Sequence, residues 1–400
     1  MQTRQLGASG PRVSTLGLGC MGMSDFYGPA DRAEGIETIH AALDAGINLL
    51  DTGDFYGMGH NEMLIREALA ERARGEIVIS VKFGALRDVG GNFAGVDTRP
   101  VAIRNFLAYT LRRLGTDYVD IYRPARLDPS VPIEETVGAI ADLVKAGHVR
   151  HIGLSEVSAA TLRRARAVHP ICDLQIEYAL VSRGIEAEIL PTCRELGIGI
   201  TAYGVLARGL ISGHWSKERA AAAGDFRSRN PRFGAENIDR NLALVERLRT
   251  TARERGMSVA ELAIAWVLSR GSDIVPLIGA RRCSQLDEAL RALAAHLSVE
   301  DLSEIERAAP PGAIAGERYD PRQMAALDSE RGANDQAWDR KTRRRAPAYT
   351  TARGSRVLAA LERIFRTWVV VFPEKALAQN PYPRDIVFYG TRKSHQTLLQ

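Results

Sequence analysis

The sequence predicts an α/β chain built as a closed (β/α)8 barrel, with a β-hairpin before it and a poorly structured basic extension after it. Three observations carry that prediction. Eight short runs rich in β-branched and apolar residues alternate with longer amphipathic stretches. The stretch between successive runs is too long for a hairpin and suits a helical crossover, so the strands pair in parallel. Glycine and proline fall where such helices should stop and start. A doubly wound open sheet is the other arrangement this alternation allows.

The candidate strands are 16–19, 48–51, 77–82, 119–122, 151–155, 173–177, 199–203 and 274–278. Helical periodicity marks 33–45, 62–74, 99–114, 133–146, 159–168, 185–196, 237–255 and 259–269, with 284–294 following the last strand. Gly46, Gly147 and Gly197 each close a helix where a left-handed residue is needed. Pro100 and Pro132 stand at helix starts, where a missing N–H costs nothing. Upstream, 4–6 and 12–14 flank Gly7-Ala8-Ser9-Gly10-Pro11 and read as a hairpin able to close the N-terminal end of the barrel.

Composition narrows the function classes. The 400-residue chain is 45% hydrophobic and 25% charged, ordinary values for a globular protein. Its net charge of +5 suggests a nucleic acid or anionic surface as partner. The distribution argues otherwise. Residues 331–400 hold 14 Lys or Arg against 5 Asp or Glu, so the first 330 residues carry a small negative balance. Residues 1–330 are therefore expected to form the barrel unit and 331–400 a separate extension, with neither a nucleic acid nor a membrane as partner. Cys20, Cys172, Cys193 and Cys283 are too sparse for a disulfide framework. No metal-ligand spacing, signal-peptide core or membrane-length apolar run occurs, so a cytoplasmic, metal-free protein is expected.

Gly17-Leu18-Gly19-Cys20-Met21-Gly22 matches a dinucleotide-binding fingerprint, but the last glycine should open a helix. Here a breaker-rich loop, 23–29, follows. A glycine-rich loop at the C-terminal face of the barrel fits better.

Asp51 and Lys82 end adjacent predicted strands, and Tyr56 follows Asp51 in the same loop. Charged residues at C-terminal strand ends face the active-site mouth of a barrel. An ammonium beside a tyrosine stabilises phenolate and lowers its pKa, and a carboxylate keeps the ammonium charged and in place. Tyr56 then becomes a general acid for a forming alkoxide. Hydride must come from a nicotinamide cofactor, since side chains supply none. The residues alone allow a second reading, a structural Asp–Lys pair beside an unrelated tyrosine.

These segments resemble the aldo-keto reductases, barrel enzymes that reduce aldehydes and ketones with NADPH. The resemblance runs over about residues 1–330. It rests on 49–57 with its Asp and Tyr, 78–84 with its Lys, 117–129, and Ile152-Gly153-Leu154-Ser155. It continues through Leu174-Gln175-Ile176-Glu177-Tyr178, 202–210 and 276–282. It implies that Ser155 and Gln175 hold the nicotinamide carboxamide and that Tyr203 stacks on the ring. It also implies that Gly204, Leu206 and Arg208 lie along the pyrophosphate. Gly279, Arg281, Gln285 and Glu288 would hold the adenosine end, and an arginine there favours NADP(H).

Three positions depart from the family pattern. Ala125 stands where a histidine usually orients the substrate carbonyl, with Arg123 and Arg126 nearby. This departure motivates an alternative function, an NADP(H)-binding sensor or regulatory subunit with weak catalysis. Glu156 and Ala289 stand where asparagine is common, and Glu156 could accept from the carboxamide instead. Met21, Met23, Phe26, Tyr27, Phe83, Phe93 and Trp215 are candidate pocket residues, with Phe93 better read as local packing. In the extension, Lys341-Thr342-Arg343-Arg344-Arg345 and a helical stripe from Val357 to Trp368 suggest either a docking segment or an appended stretch without selected function.

Overall fold

The computed structural model describes residues 1–216 and 225–331, so the basic run and the helical stripe of the extension lie outside the described residues. Eight parallel strands close into a barrel. In chain order they are β1 (Gly17–Gly19), β2 (Leu49–Gly53), β3 (Val78–Phe83) and β4 (Val119–Pro124). They continue as β5 (Val149–Ser155), β6 (Ile171–Glu177), β7 (Gly199–Tyr203) and β8 (Ile274–Gly279). Strand β8 pairs with β1, Gly279 opposite Gly19, which closes the ring. The open-sheet alternative is excluded.

Helices follow the strands as predicted, and Gly46, Gly147 and Gly197 all have positive φ. Two helices are shorter than their periodicity suggests. The stretch predicted at 62–74 ends at Ala68. Beyond it the Arg74 guanidinium binds Ile77 O, Tyr118 O and the Asp120 carboxylate, pinning the chain to the starts of β3 and β4. The stretch predicted at 185–196 is helical only over Ile189–Leu196, preceded by a short 3-10 turn at Gly184–Glu186. Pro191 lacks an N–H and fits only the first helical turn, which fixes that start. The sequence reading missed a small hairpin, Ala85–Arg87 with Phe93–Val96, in the loop after β3. It also missed the helix Val299–Ala308, although Ser298 and Asp301 form a capping box.

The hairpin Thr3–Gln5/Arg12–Ser14 plugs the N-terminal end of the barrel. Leu6 and Val13 pack with Leu49, Val78, Ile121, Cys172, Val275 and Leu277 into a small apolar cluster. Gly7 permits that closeness, since a Cβ there would lie 2.2 Å from Cys172 O.

Above this apolar plug the barrel interior turns polar. Arg123 points inward and is fully buried. It donates to Asp173 Oδ2 at 2.7 Å, Thr201 Oγ1 at 3.2 Å and Ser80 Oγ at 2.8 Å. A buried pair needs further hydrogen bonds, and Ser80 and Thr201 on the neighbouring strands supply two of them. Ser80 passes the connection upward to Asp51, so this layer forms the floor of the mouth.

Candidate active site at the barrel mouth

Strands β2 and β3 are in register with Gly53 opposite Lys82, which brings the Asp51 and Lys82 side chains together inside the barrel. Lys82 Nζ donates to Asp51 Oδ1. The other carboxylate oxygen accepts from Ser80 Oγ at 2.9 Å and from Gln175 Nε2 at 2.7 Å. Both Asp51 carboxylate oxygens are thereby engaged, which holds the carboxylate against the ammonium. Burial pushes the Lys82 pKa below its usual value, and the Asp51 charge opposes that shift.

Tyr56 starts a tight turn, Tyr56–Gly59, in which Gly57, Met58 and Gly59 have positive φ. The turn is anchored below by Asn61, which is fully buried. Asn61 accepts from Thr52 Oγ1 at 2.6 Å and donates to Cys20 O at 2.9 Å. Tyr56 thus comes over Lys82, whose Nζ is 5.1 Å from the ring centroid. The Tyr56 hydroxyl makes no hydrogen bond to a described residue. Its pKa lies well above the ordinary tyrosine value, first because it is buried and then because of the Asp51 charge. From sequence alone the ammonium is expected to lower it. Desolvation outweighs that effect here, and Asp51 neutralises much of the ammonium's field.

The residues expected to bind a cofactor line the rest of the mouth. Ser155 and Gln175 are register partners on β5 and β6. The Ser155 hydroxyl and the Gln175 side-chain carbonyl make no hydrogen bond within the described residues. Tyr203, opposite Glu177 in the β6–β7 register, donates to Glu156 Oε1 at 2.7 Å and lies 2.9 Å from the Tyr319 hydroxyl. Gly204 follows with φ of +69°. Leu206 is half-buried against the core and precedes the turn Ala207–Ser212. Arg208 is 3.3 Å from Glu177 Oε2, yet its Nη1 is buried with no hydrogen-bond partner. Beyond β8, Gln285 Oε1 accepts from the Arg281 backbone at 2.9 Å, and Arg281 reaches Tyr27 O and Pro29 O at 3.2 Å each. Glu288 lies 3.3 Å from His214 Nε2. Gly279 ends β8 opposite Gly19, where an added Cβ would meet open space.

Three expectations need correction. Glu156 does not offer a free acceptor. Arg318, Tyr203, Ser329 and the Glu177 backbone occupy both its oxygens. Phe83 is fully buried and stacks on Tyr122 with centroids 4.2 Å apart, so it belongs to the core. Met23 is core as well. Phe93 is 44% exposed on the small hairpin.

The sequence reading also missed residues that shape the mouth. Phe226, Arg227 and Arg232 come from the loop after β7, and Arg318 and Tyr319 from the segment after the last long helix. Arg232 binds Glu177 Oε1 at 3.0 Å. Phe226 lies 6.2 Å from Phe26 and 6.0 Å from Tyr319 between centroids. These segments carry no periodicity. The one local signal was their density of arginine and aromatic residues in breaker-rich sequence. Among the described residues no His, Cys, Asp or Glu cluster could hold a metal, and no helix is long and apolar enough to cross a membrane.

Comparison with known proteins accounts for this arrangement. A sequence model of the Aldo/keto reductase family matches residues 15–310. A probable aldo-keto reductase from Glycine max is 43% identical over 320 residues, 80% of this chain and 92% of its own length. Among solved structures, a glycerol dehydrogenase from Gluconobacter oxydans has a TM-score of 0.70 at 30% identity. That match covers 78% of this chain and 96% of the other. The holo form of an aldo-keto reductase from Bacillus halodurans has a TM-score of 0.66 at 28% identity, covering 79% and 98%. With the family matched over most of the chain and its barrel observed, this protein belongs to the aldo/keto reductase family of oxidoreductases, which act on carbonyls with nicotinamide cofactors.

Proposed function

We propose that the chain reduces an aldehyde or ketone to an alcohol with NADPH, with Tyr56 as proton donor. The observation that carries this reading is a Tyr56 hydroxyl with no hydrogen-bond partner among the described residues, set over a lysine that is itself fixed by Asp51. Nicotinamide supplies the hydride when bound. The carbonyl oxygen gains negative charge as the hydride arrives, and a proton donor within hydrogen-bond reach stabilises it. Burial keeps Tyr56 protonated until that moment. As the proton leaves, the phenolate faces the Lys82 ammonium, which favours the charge in a low-dielectric mouth. Ser80 and Gln175 hold Asp51 and so hold Lys82 in place.

The residues present fit a nicotinamide dinucleotide. The unengaged Ser155 hydroxyl and Gln175 carbonyl suit a carboxamide, which has both a donor and an acceptor. The Arg208 Nη1, ion-paired with Glu177 but without a hydrogen bond among the described residues, suits a phosphate oxygen. The Tyr203 hydroxyl is tethered at Glu156, which fixes the plane of its ring. Gly204, Leu206, Gly279, Gln285 and Glu288 complete the binding set. Arg281 carries the preference for the 2′-phosphate of NADP(H). We assign this activity to residues 1–330 and the protein to the cytoplasm, with its four cysteines free.

Loss of NADPH absorbance with a panel of aldehydes tests the reading. Turnover should fall about 10²–10⁴-fold in Tyr56→Phe while NADPH still binds. Ala125 favours one rival, a nicotinamide-binding sensor. NADPH binding with no carbonyl consumed faster by wild type than by Tyr56→Phe would support that rival and overturn the enzyme reading.

A further inference from the structure

Five arginines, Arg126, Arg208, Arg227, Arg232 and Arg318, stand around the mouth, and four of them have a carboxylate. Arg208 and Arg232 share Glu177, at 3.3 and 3.0 Å. Arg318 grips Glu156, and Arg227 grips Asp225. Arg126 differs. Its Nη1 donates to the neighbouring Ala125 carbonyl at 2.6 Å and its Nη2 to the Tyr319 hydroxyl at 3.3 Å. It makes no ion pair among the described residues. A guanidinium has five N–H donors, so most of this capacity is unspent although the side chain is half-buried. A partly desolvated cation in no direct ion pair, offset at longer range by the Glu156 charge that Arg318 already grips, is well placed to take an anion.

The position of Arg126 says what arrives. Ala125 N donates to Phe83 O at 2.8 Å, so Arg126, just past β4, sits beside the end of the strand that carries Lys82. Aromatic contacts lead from its other side back to the proton donor. Arg126 lies 5.8 Å from the Tyr319 centroid, Tyr319 contacts Phe226, Phe226 contacts Phe26, and Phe26 lies 5.9 Å from Tyr56. One chain of aromatic contacts thus joins Arg126 to Tyr56, and the Tyr56 hydroxyl senses the Arg126 charge. The residues proposed for the adenosine end follow β8, on another part of the rim. Alanine at 125 adds no competing donor.

We propose that Arg126 binds a carboxylate carried by the substrate, so that the carbonyl compound this mouth takes is an aldehyde acid or keto acid. This rests on the carbonyl reduction proposed above. The planar fork of the guanidinium matches a carboxylate in two parallel hydrogen bonds. A hydrogen bond to a charged group contributes about 1.5–3 kcal/mol, which corresponds to about 10–100-fold in kcat/KM.

The full-length protein with NADPH should be assayed on 4-carboxybenzaldehyde and benzaldehyde. We expect kcat/KM to be about 10-fold or more higher for the carboxylated compound, mainly through KM. In Arg126→Met that ratio should fall to about one, and in Arg126→Lys it should be partly kept, because a point charge attracts without the fork. Equal kcat/KM for the two aldehydes in wild type overturns the proposal, as does a preference that survives Arg126→Met. Should Arg126→Met not fold, Arg126→Lys against wild type carries the same comparison. If neither aldehyde is reduced, the reductase reading fails separately. Benzoate binding to wild type, read by calorimetry and weakened about 10-fold by the Arg126 substitutions, still supports the anion site, and its absence overturns that site.

Discussion

Arg318 holds both carboxylate oxygens of Glu156, Nη1 to Oε1 at 2.9 Å and Nη2 to Oε2 at 2.5 Å. The pair joins the segment after the last long helix to the residue that follows β5. Glu156 has a φ of +54°, a conformation that needs outside support in a non-glycine residue. Tyr203 and Ser329 bind the same carboxylate. The C-terminal segment of the described structure is therefore part of the mouth, and the Tyr203 ring is positioned through it.

Removing one partner of this pair should be costly. Arg318→Met strands a buried carboxylate, and a loss of about 3–5 kcal/mol is expected in urea unfolding. The double variant with Glu156→Gln should recover part of that loss, because the uncompensated charge is gone.

The same pair has a pH signature. Burial alone would raise the Glu156 carboxyl, but the Arg318 charge and hydrogen bonds bring it down to about 2. A depressed carboxylate contributes stability above its unfolded pKa and loses it as pH falls through the folded value. The stability gap between wild type and Glu156→Gln should therefore be full near pH 6 and shrink from about pH 4 toward 2. A gap independent of pH in that window would contradict the assignment.

Asp54 should behave oppositely. Burial, reinforced by Glu62, raises its carboxyl to about 8. The folded state then binds the proton more tightly than the unfolded chain, so stability should decline as pH rises from about 4 to 8. Asp54→Asn should flatten that decline and melt above wild type at pH 9. Thermal unfolding at several pH values checks it.

Ala125 offers a gain-of-function test. A carbonyl-directed donor contributes about 2.7–4 kcal/mol where one has been removed. Ala125→His should raise turnover of simple neutral aldehydes by about 10-fold or more, as measured by kcat. No gain would mean that the mouth already orients the carbonyl without it.

Ending the chain after Arg331 should leave NADPH binding unchanged, since every proposed catalytic and cofactor residue precedes that point. Fluorescence titration of the shortened protein against the full chain measures this. Weaker binding would assign the basic extension a part in the site.

The sequence by itself determined the barrel. Periodicity, parallel spacing and the glycine stops near 46, 147 and 197 are local or repeating signals, and they placed all eight strands. It also determined the Asp51–Lys82 pairing and the nearby Tyr56, because strand ends in a barrel converge by construction. Tertiary structure decided what lies beyond periodicity. Arg123 and Arg126 are three residues apart, and only the closed barrel shows one sealed against Asp173 and the other at the rim. Glu156 looked like a possible cofactor ligand until Arg318, 162 residues later, was seen to occupy it. The direction of the Tyr56 shift likewise depends on burial, which the fold sets. Contacts between distant loops follow from closure of the whole chain, and local sequence does not encode which partner arrives.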